Sequence, residues 1–119
     1  MVHPSTTLAA VVVTHDRLDK LRVTIRSLLT EPVDQVIVVD NASTDGTPSW
    51  LESLEDSRLI LHRSAANLGG AGGFSLGMQL ARDQTDADWI VLMDDDGRPQ
   101  PGAFTAFRSM EKTGWDGIG

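Results

Sequence analysis

The chain has 119 residues, enough for one domain with a real core and too few for two ordinary ones. Its hydrophobic content of 40% and charged content of 23% are those of a globular chain, which argues against disorder throughout. A formal net charge of −7 leaves little room for the basic patch that a nucleic-acid backbone needs, and the lack of cysteine excludes disulfides, thiolate zinc sites and a cysteine nucleophile.

Residues 8–14, LAAVVVT, form a β-branched apolar run and read as the first buried strand. Asp16 is placed to cap a following helix, whose apolar positions Leu18, Leu21, Ile25, Leu28 and Leu29 recur at helical spacing before Pro32. A second buried strand, 36–39, closes on Asp40. The segment NASTDG, 41–46, is turn chemistry, and Thr47 reads as the N-cap, with Pro48 at the first helical position, of a short helix carrying Trp50, Leu51 and Leu54. Residues 59–61 form a third, shorter strand, and the connection after it holds the glycine cluster 67–73. Phe74, Leu76, Leu80 and Ala81 supply one face of the next helix. The fourth strand, 89–93, is apolar without alternation and runs straight into Asp94, Asp95 and Asp96. A turn at 99–102 leads to a helix with Ala103, Phe104, Phe107 and Met110 on one face, and the tail 114–119 reads as unstructured. His3, His15 and His62 are too scattered for a zinc site. No apolar run approaches the ~18 residues of a spanning helix, and the N-terminus lacks a signal-peptide pattern, so a soluble intracellular protein is expected.

Four alternations of strand and helix predict a Rossmann-like, doubly wound, mostly parallel α/β sheet. The expected strand order is 3-2-1-4. Strands 1 and 4 then meet at the topological switch point, which brings Thr14, Asp40 and the aspartate triplet to one crevice. Alternation along an extended backbone sends Asp94 and Asp96 one way and Asp95 the other. Two carboxylates on one side suit a hard divalent cation such as Mg2+ or Mn2+, and an acidic, solvated turn is the equal alternative. Asp40 reads equally as the cap of the turn with Asn41 and as an acceptor for a base or ribose.

Several other chemistries are excluded by context. Asn41, Ser43, Asp45, Gly46 and Glu52 fit the spacing of an EF-hand loop, but a strand precedes them and Pro48 interrupts them. A dinucleotide fingerprint belongs after the first strand, where this chain has THDR. An aspartate-nucleophile phosphatase carries its D-x-D-G on the first strand, and here Asp94-x-Asp96-Gly97 follows the fourth. Sugar nucleotidyltransferases need a glycine-rich basic loop, which THDR is not.

The segments VVVTHDR, VIVVDNASTDGT, NLGGAGGF and WIVLMDDDG, in this order and at these separations, resemble family 2 glycosyltransferases of the GT-A fold, over residues 8–110. NLGGAGGF with the triple aspartate is most similar to the bacterial galactofuranosyl- and rhamnosyltransferase branch, which implies a UDP- or dTDP-linked sugar donor. By that resemblance Thr14, His15 and Arg17 line the nucleotide pocket, Asp40 contacts the base with Asn41 beside it, and Asn67, Gly69, Gly70, Gly72 and Gly73 pass beside the donor. Asp95 faces the ribose or sugar, while Asp94 and Asp96 hold Mn2+ or Mg2+ on the diphosphate. His15 reads equally as an ordinary surface residue, and Arg17 slightly more readily so. The implied reaction is an inverting sugar transfer to an acceptor hydroxyl. The implied acceptor is a polysaccharide or lipid-linked glycan of the cell envelope, reached from the cytoplasm or peripherally at the inner face of the membrane.

Family 2 enzymes place the acceptor site and general base beyond the D-x-D strand, and nothing after Lys112 supplies them here. The single domain 1–119 is therefore expected to be the donor-binding part of a longer enzyme, with its base beyond Gly119. A noncatalytic nucleotide-sugar binding or assembly module is the competing class. Because residues 89–93 have no charge or proline to blunt pairing, a homodimer through that sheet edge is also expected, with Trp115 as an alternative plug.

Overall fold

The computed structural model describes residues 7–97. The expected turn at 99–102, the helix carrying Phe104 and Phe107, the tail and Trp115 lie outside the described residues. Within them the elements are β1 (Leu8–Thr14), α1 (Leu18–Leu29), β2 (Gln35–Asn41), α2 (Thr47–Glu52), β3 (Leu59–Ser64), α3 (Gly69–Gln84) and β4 (Trp89–Asp94). All four strands are parallel, in the order β3-β2-β1-β4. The sheet is the one the alternating pattern predicts, with β1 and β4 adjacent at the switch point. Strands β2 and β3 run further than their apolar stretches suggest, because ladder pairing is a backbone property that carries polar side chains with it. Asp40 pairs with Arg63, and Asn41 with Ser64.

Period-two alternation divides the central strands between two cores. Leu8, Ala10, Val12, Val36 and Val38 pack with Leu21, Ile25 and Leu28 of α1 and Leu51 of α2. Ala9, Val11, Ile37 and Val39 face Ala81 of α3, with Phe74, Leu76 and Leu80 partly buried around them. These strands therefore read as continuous apolar runs because both faces are covered. Strand β4 pairs on one side with β1, and its apolar residues are only half-buried among the described residues.

Three local expectations change. Thr47 is the first residue of α2 rather than its cap, a place that Gly46 takes without a side-chain hydrogen bond. Asp16 does not cap α1, which begins after Arg17 without a side-chain cap. Its carboxylate Oδ1 instead accepts the amides of Thr44 (2.6 Å) and Asp45 (3.3 Å), and the Leu18 amide turns to Asp45 Oδ2 at 3.3 Å. The glycine cluster is not a connecting loop either, since α3 begins at Gly69 and takes most of it into its first turns. Gly69, Gly73, Gly77 and Ala81 recur every fourth residue and so share one helical stripe, which lets α3 approach the sheet closely. A Cβ on Gly73 would sit 2.5 Å from Val13 Cγ1, and one on Gly77 would sit 2.3 Å from Val11 Cγ1.

The far end of α1 is fastened by Arg58. Its guanidinium donates to the carbonyl oxygens of Leu29 (2.8 Å) and Glu31 (3.3 Å) and grips Asp56 through Nη2 at 2.8 Å and Nε at 3.0 Å. Hydrogen bonds from the Arg58 side chain, then from its amide, hold the Asp56 carboxyl at a pKa of about 2 against the usual 3.8. A depressed pKa means that Asp56 contributes stability above 3.8 and loses it as the pH falls toward 2. Thermal unfolding of Asp56→Asn is thus expected to be less acid-sensitive than that of the parent chain across that window. Parallel acid profiles would show that the pairing contributes nothing.

Candidate functional site

The carboxyl ends of β1, β2 and β4 lie side by side. Register places Thr14 opposite Asp40 and Val13 opposite Asp94. The strand stops at Asp94, and residues 94–97 close a turn in which the Gly97 amide donates to the Asp94 carbonyl at 2.9 Å. Glycine is needed at its end, since a Cβ on Gly97 would lie 2.6 Å from Met93 Cγ. Asp94 and Asp96 are exposed, whereas Asp95 is only 5% exposed. The opposite facing of these neighbours was anticipated from strand alternation. Its cause is the turn, because Asp95 and Asp96 lie beyond the strand.

The Asp95 carboxylate is already engaged by the protein. Thr14 Oγ1 donates to its Oδ2 at 3.1 Å, and Arg17 Nη1 lies 3.4 Å from its Oδ1. The other Arg17 terminal nitrogen, Nη2, lies 3.4 Å from Asp96 Oδ2, so one guanidinium spans two of the three acids. Thr24, in the middle of α1, places its hydroxyl 2.6 Å from the Asp95 carbonyl oxygen and 2.7 Å from that of Gly97. Sequence reasoning missed Thr24. Its only signal is a polar residue at a core position between Leu21 and Leu28.

The β1–α1 and β2–α2 loops are stapled together. His15 Nδ1–H donates to the Asn41 carbonyl at 2.5 Å, and its Nε2 lies 3.2 Å from Asp16 Oδ2. The Asp16 amide donates to Ser43 Oγ at 2.9 Å, and Asp16 itself sits at φ +49°, as Ala42 does at φ +57°. Two non-glycine residues in the left-handed region beside a strand end mark stored backbone strain. Burial opposes the charge on Asp45, but hydrogen bonds from Thr47 and the Leu18 amide keep its pKa below the usual carboxylate value.

Asp40 performs the turn-capping role with one oxygen, since the Ser43 amide donates to Oδ1 at 3.1 Å. Among the described residues its Oδ2 is buried without a partner, on a residue 2% exposed. Buried acceptors are normally satisfied, so this oxygen is open to a donor from outside the described residues. Asn41 Nδ2 donates to the Gly69 carbonyl at 3.0 Å, tying β2 to the start of α3, and its Oδ1 is likewise unpartnered. The Gly69 amide turns back to Asn67 Oδ1 at 2.9 Å, with Gly69 at φ +72°. Gly70 has nothing within 4 Å of a virtual Cβ, while Gly72 would touch Leu68 Cβ at 3.0 Å. The sequence-predicted residues thus fall into two groups: Thr14, Arg17, Asp94, Asp95 and Asp96 around the acidic turn, and His15, Asp40, Asn41, Asn67, Gly69 and Gly73 around the end of β2.

An open cleft of about 440 Å3 lies among Asp16, Arg17, Asp19, Lys20 and Asp45, and a smaller one of about 130 Å3 among Asp40, Pro48, Leu51 and Arg63. A larger depression of about 570 Å3, among Met78, Arg82, Ala87 and Ile90, lies toward the opposite end of the sheet and shares none of this chemistry. Among the described residues no group of three or more His, Cys, Asp or Glu side chains is arranged to hold a metal ion. Two exposed carboxylates remain, which is the sparse, all-oxygen set that Mg2+ or Mn2+ uses when ligand phosphates and water complete its shell. Among the same residues no helix is long and apolar enough to cross a membrane.

A parallel sheet with an acidic turn beside its switch point belongs to the class of open α/β domains, in which ligands generally lie at the carboxyl ends of the strands. A family model described as "Glycosyl transferase family 2" matches residues 9–112, and the chain belongs to that family. Galactofuranosyltransferase GlfT1 of Mycolicibacterium smegmatis is 43% identical over 96 residues, which are 77% of this chain and 30% of that protein. The chain therefore spans about 30% of the length of this relative. Staphylococcus aureus TarS 1-349 in complex with UDP-GlcNAc superposes with a TM-score of 0.71 at 20% identity, covering 86% of this chain and 30% of that one. Mannosyltransferase PcManGT from Pyrobaculum calidifontis, in complex with GDP-Man and Mn2+, gives 0.69 at 23% identity, covering 95% and 35%. Both are likenesses of fold, and the four-stranded parallel sheet with its flanking helices is that of GT-A glycosyltransferases.

Proposed function

We propose that this chain is the donor-binding part of a glycosyltransferase that moves a sugar, with inversion, from a UDP- or dTDP-linked donor to an acceptor hydroxyl. The observation that carries this reading is the acidic turn at the end of β4, where Asp95 is locked into the protein while Asp94 and Asp96 stay exposed, on the same edge of the sheet as the end of β2 that carries Asp40. Asp94 and Asp96 would hold a divalent cation, Mn2+ or Mg2+, whose chemistry is to neutralise the charge gathering on the diphosphate as it leaves. The protein's own contributions are separate. Asp40 Oδ2 accepts a hydrogen bond from the base, Thr14 and Arg17 hold Asp95 so that the turn keeps its shape, and the opening turn of α3 passes beside the donor. The name of the galactofuranosyltransferase above supports a galactofuranosyl donor, and a cell-envelope glycan as the acceptor is part of the proposal. A cytoplasmic place of action, peripheral to the inner face of the membrane, belongs to the same proposal.

Calorimetry with UDP tests it. Because the chain carries a net charge of −7 and its site is acidic, UDP is expected to bind weakly in EDTA and more tightly with Mn2+. Asp96→Ala is expected to abolish the difference. Equal affinity with and without metal would remove the cation from the reading.

A further inference from the structure

We infer that Thr24 is a positioning residue whose hydroxyl sets the backbone of the acidic turn for ligand binding. The inference rests on the cation–diphosphate reading of that turn and concerns a residue on a different element. Thr24 is wholly buried, in the second turn of α1, on the helix whose apolar residues pack against the sheet. A threonine in a helix ordinarily returns its hydroxyl to the carbonyl one turn back. This one reaches across to the carbonyl oxygens of Asp95 and Gly97, at 2.6 and 2.7 Å, where its single proton serves both. Those two carbonyls flank Asp96.

Peptide planarity gives the contact its consequence. In a trans peptide the C=O and the following N–H point in opposite directions. Drawing the Asp95 carbonyl onto Thr24 therefore turns the Asp96 amide N–H away from α1. In the same turn the Asp95 side chain is buried against Thr14 and the Asp96 carboxylate is exposed. Thr24 touches no ligand in this scheme. It fixes the direction in which Asp96 presents both its carboxylate and its amide, and a turn free to rotate its 95–96 peptide would present neither reliably.

The test compares Thr24→Val, which keeps the shape and removes the hydroxyl, with Thr24→Ser, which keeps the hydroxyl and removes the methyl group. Calorimetry with UDP, with and without Mn2+, is read beside the electron paramagnetic resonance spectrum of the bound Mn2+. The valine variant is expected to bind Mn2+ and UDP about tenfold more weakly, the size of one net hydrogen bond, with its metal-free UDP affinity unchanged and a broadened Mn2+ spectrum. The serine variant is expected to restore both readings. If the valine variant does not fold by circular dichroism, Thr24→Cys, with a weak thiol donor, takes its place under the same expectation. A valine or cysteine variant that matches the parent chain, or a serine variant as weak as valine, would overturn the positioning role while leaving the cation reading intact. A parent chain that shows no Mn2+ dependence would overturn the cation reading and this inference with it.

Discussion

Replacing Gly77 by alanine is expected to destabilise the chain by roughly 2 kcal/mol, even though alanine is the better helix former by about 1 kcal/mol. The added Cβ would lie 2.3 Å from Val11 Cγ1 and 3.4 Å from Val39 Cγ2. Neither valine can give way easily. Val11 is fully buried in β1, between β2 and β4, and its branched side chain has few allowed rotamers in that setting. The helix would have to lift off the sheet, loosening the Ala81 contacts and the Asn41 tie to Gly69. Gly70→Ala in the same helix provides the contrast, because nothing lies within 4 Å of its virtual Cβ. That variant is expected to be unchanged or more stable by up to ~1 kcal/mol. Urea unfolding of the pair decides the matter. Equal stabilities would mean that α3 does not approach the sheet as closely as the glycine stripe implies.

Asp95→Ala and Asp96→Ala are expected to separate structural from functional carboxylates. Removing Asp95 strips Thr14 of its acceptor and Arg17 of a buried partner, and hydrogen bonds to charged groups are each worth about 1.5 to 3 kcal/mol. A loss of roughly 3 kcal/mol is expected, together with loss of the metal effect, because the turn no longer has its anchor. Asp96 is exposed, and its contact with the exposed Arg17 is too screened to matter for folding. Its alanine variant is expected to stay within about 0.5 kcal/mol of the parent chain while losing the Mn2+ dependence of UDP binding. Unfolding curves beside calorimetry read both quantities. An Asp96 variant as unstable as the Asp95 variant would show that the triplet is a structural cluster rather than a presented pair.

Much of the site was legible because its residues occupy strand ends. Thr14, Asp40 and the aspartates follow apolar runs of strand length, and a parallel sheet gathers such ends on one edge whatever the intervening helices do. The glycine cluster misled for a specific reason. Glycine and alanine in succession read as loop from composition, whereas the decisive signal was the four-residue spacing of Gly69, Gly73, Gly77 and Ala81. Asp16 misled in another way. An aspartate before a helix suits an N-cap, but at φ +49° its carboxylate is carried to the neighbouring loop.

Periodicity and order along the chain by themselves determined the class of sheet, its strand order and the edge where the candidate residues gather. These follow from local hydrophobic pattern and from the handedness of crossover connections, which one sequence displays in full. Only the tertiary structure decided which aspartate is buried, that a threonine on α1 meets the carbonyls of the turn after β4, and that one Asp40 oxygen is left without a donor among the described residues. The first two depend on contacts between residues far apart in the chain, such as Thr24 with Asp95, 71 positions apart, and Thr14 with Asp95, 81 positions apart. No local period encodes such contacts, because they exist only once the strands have paired.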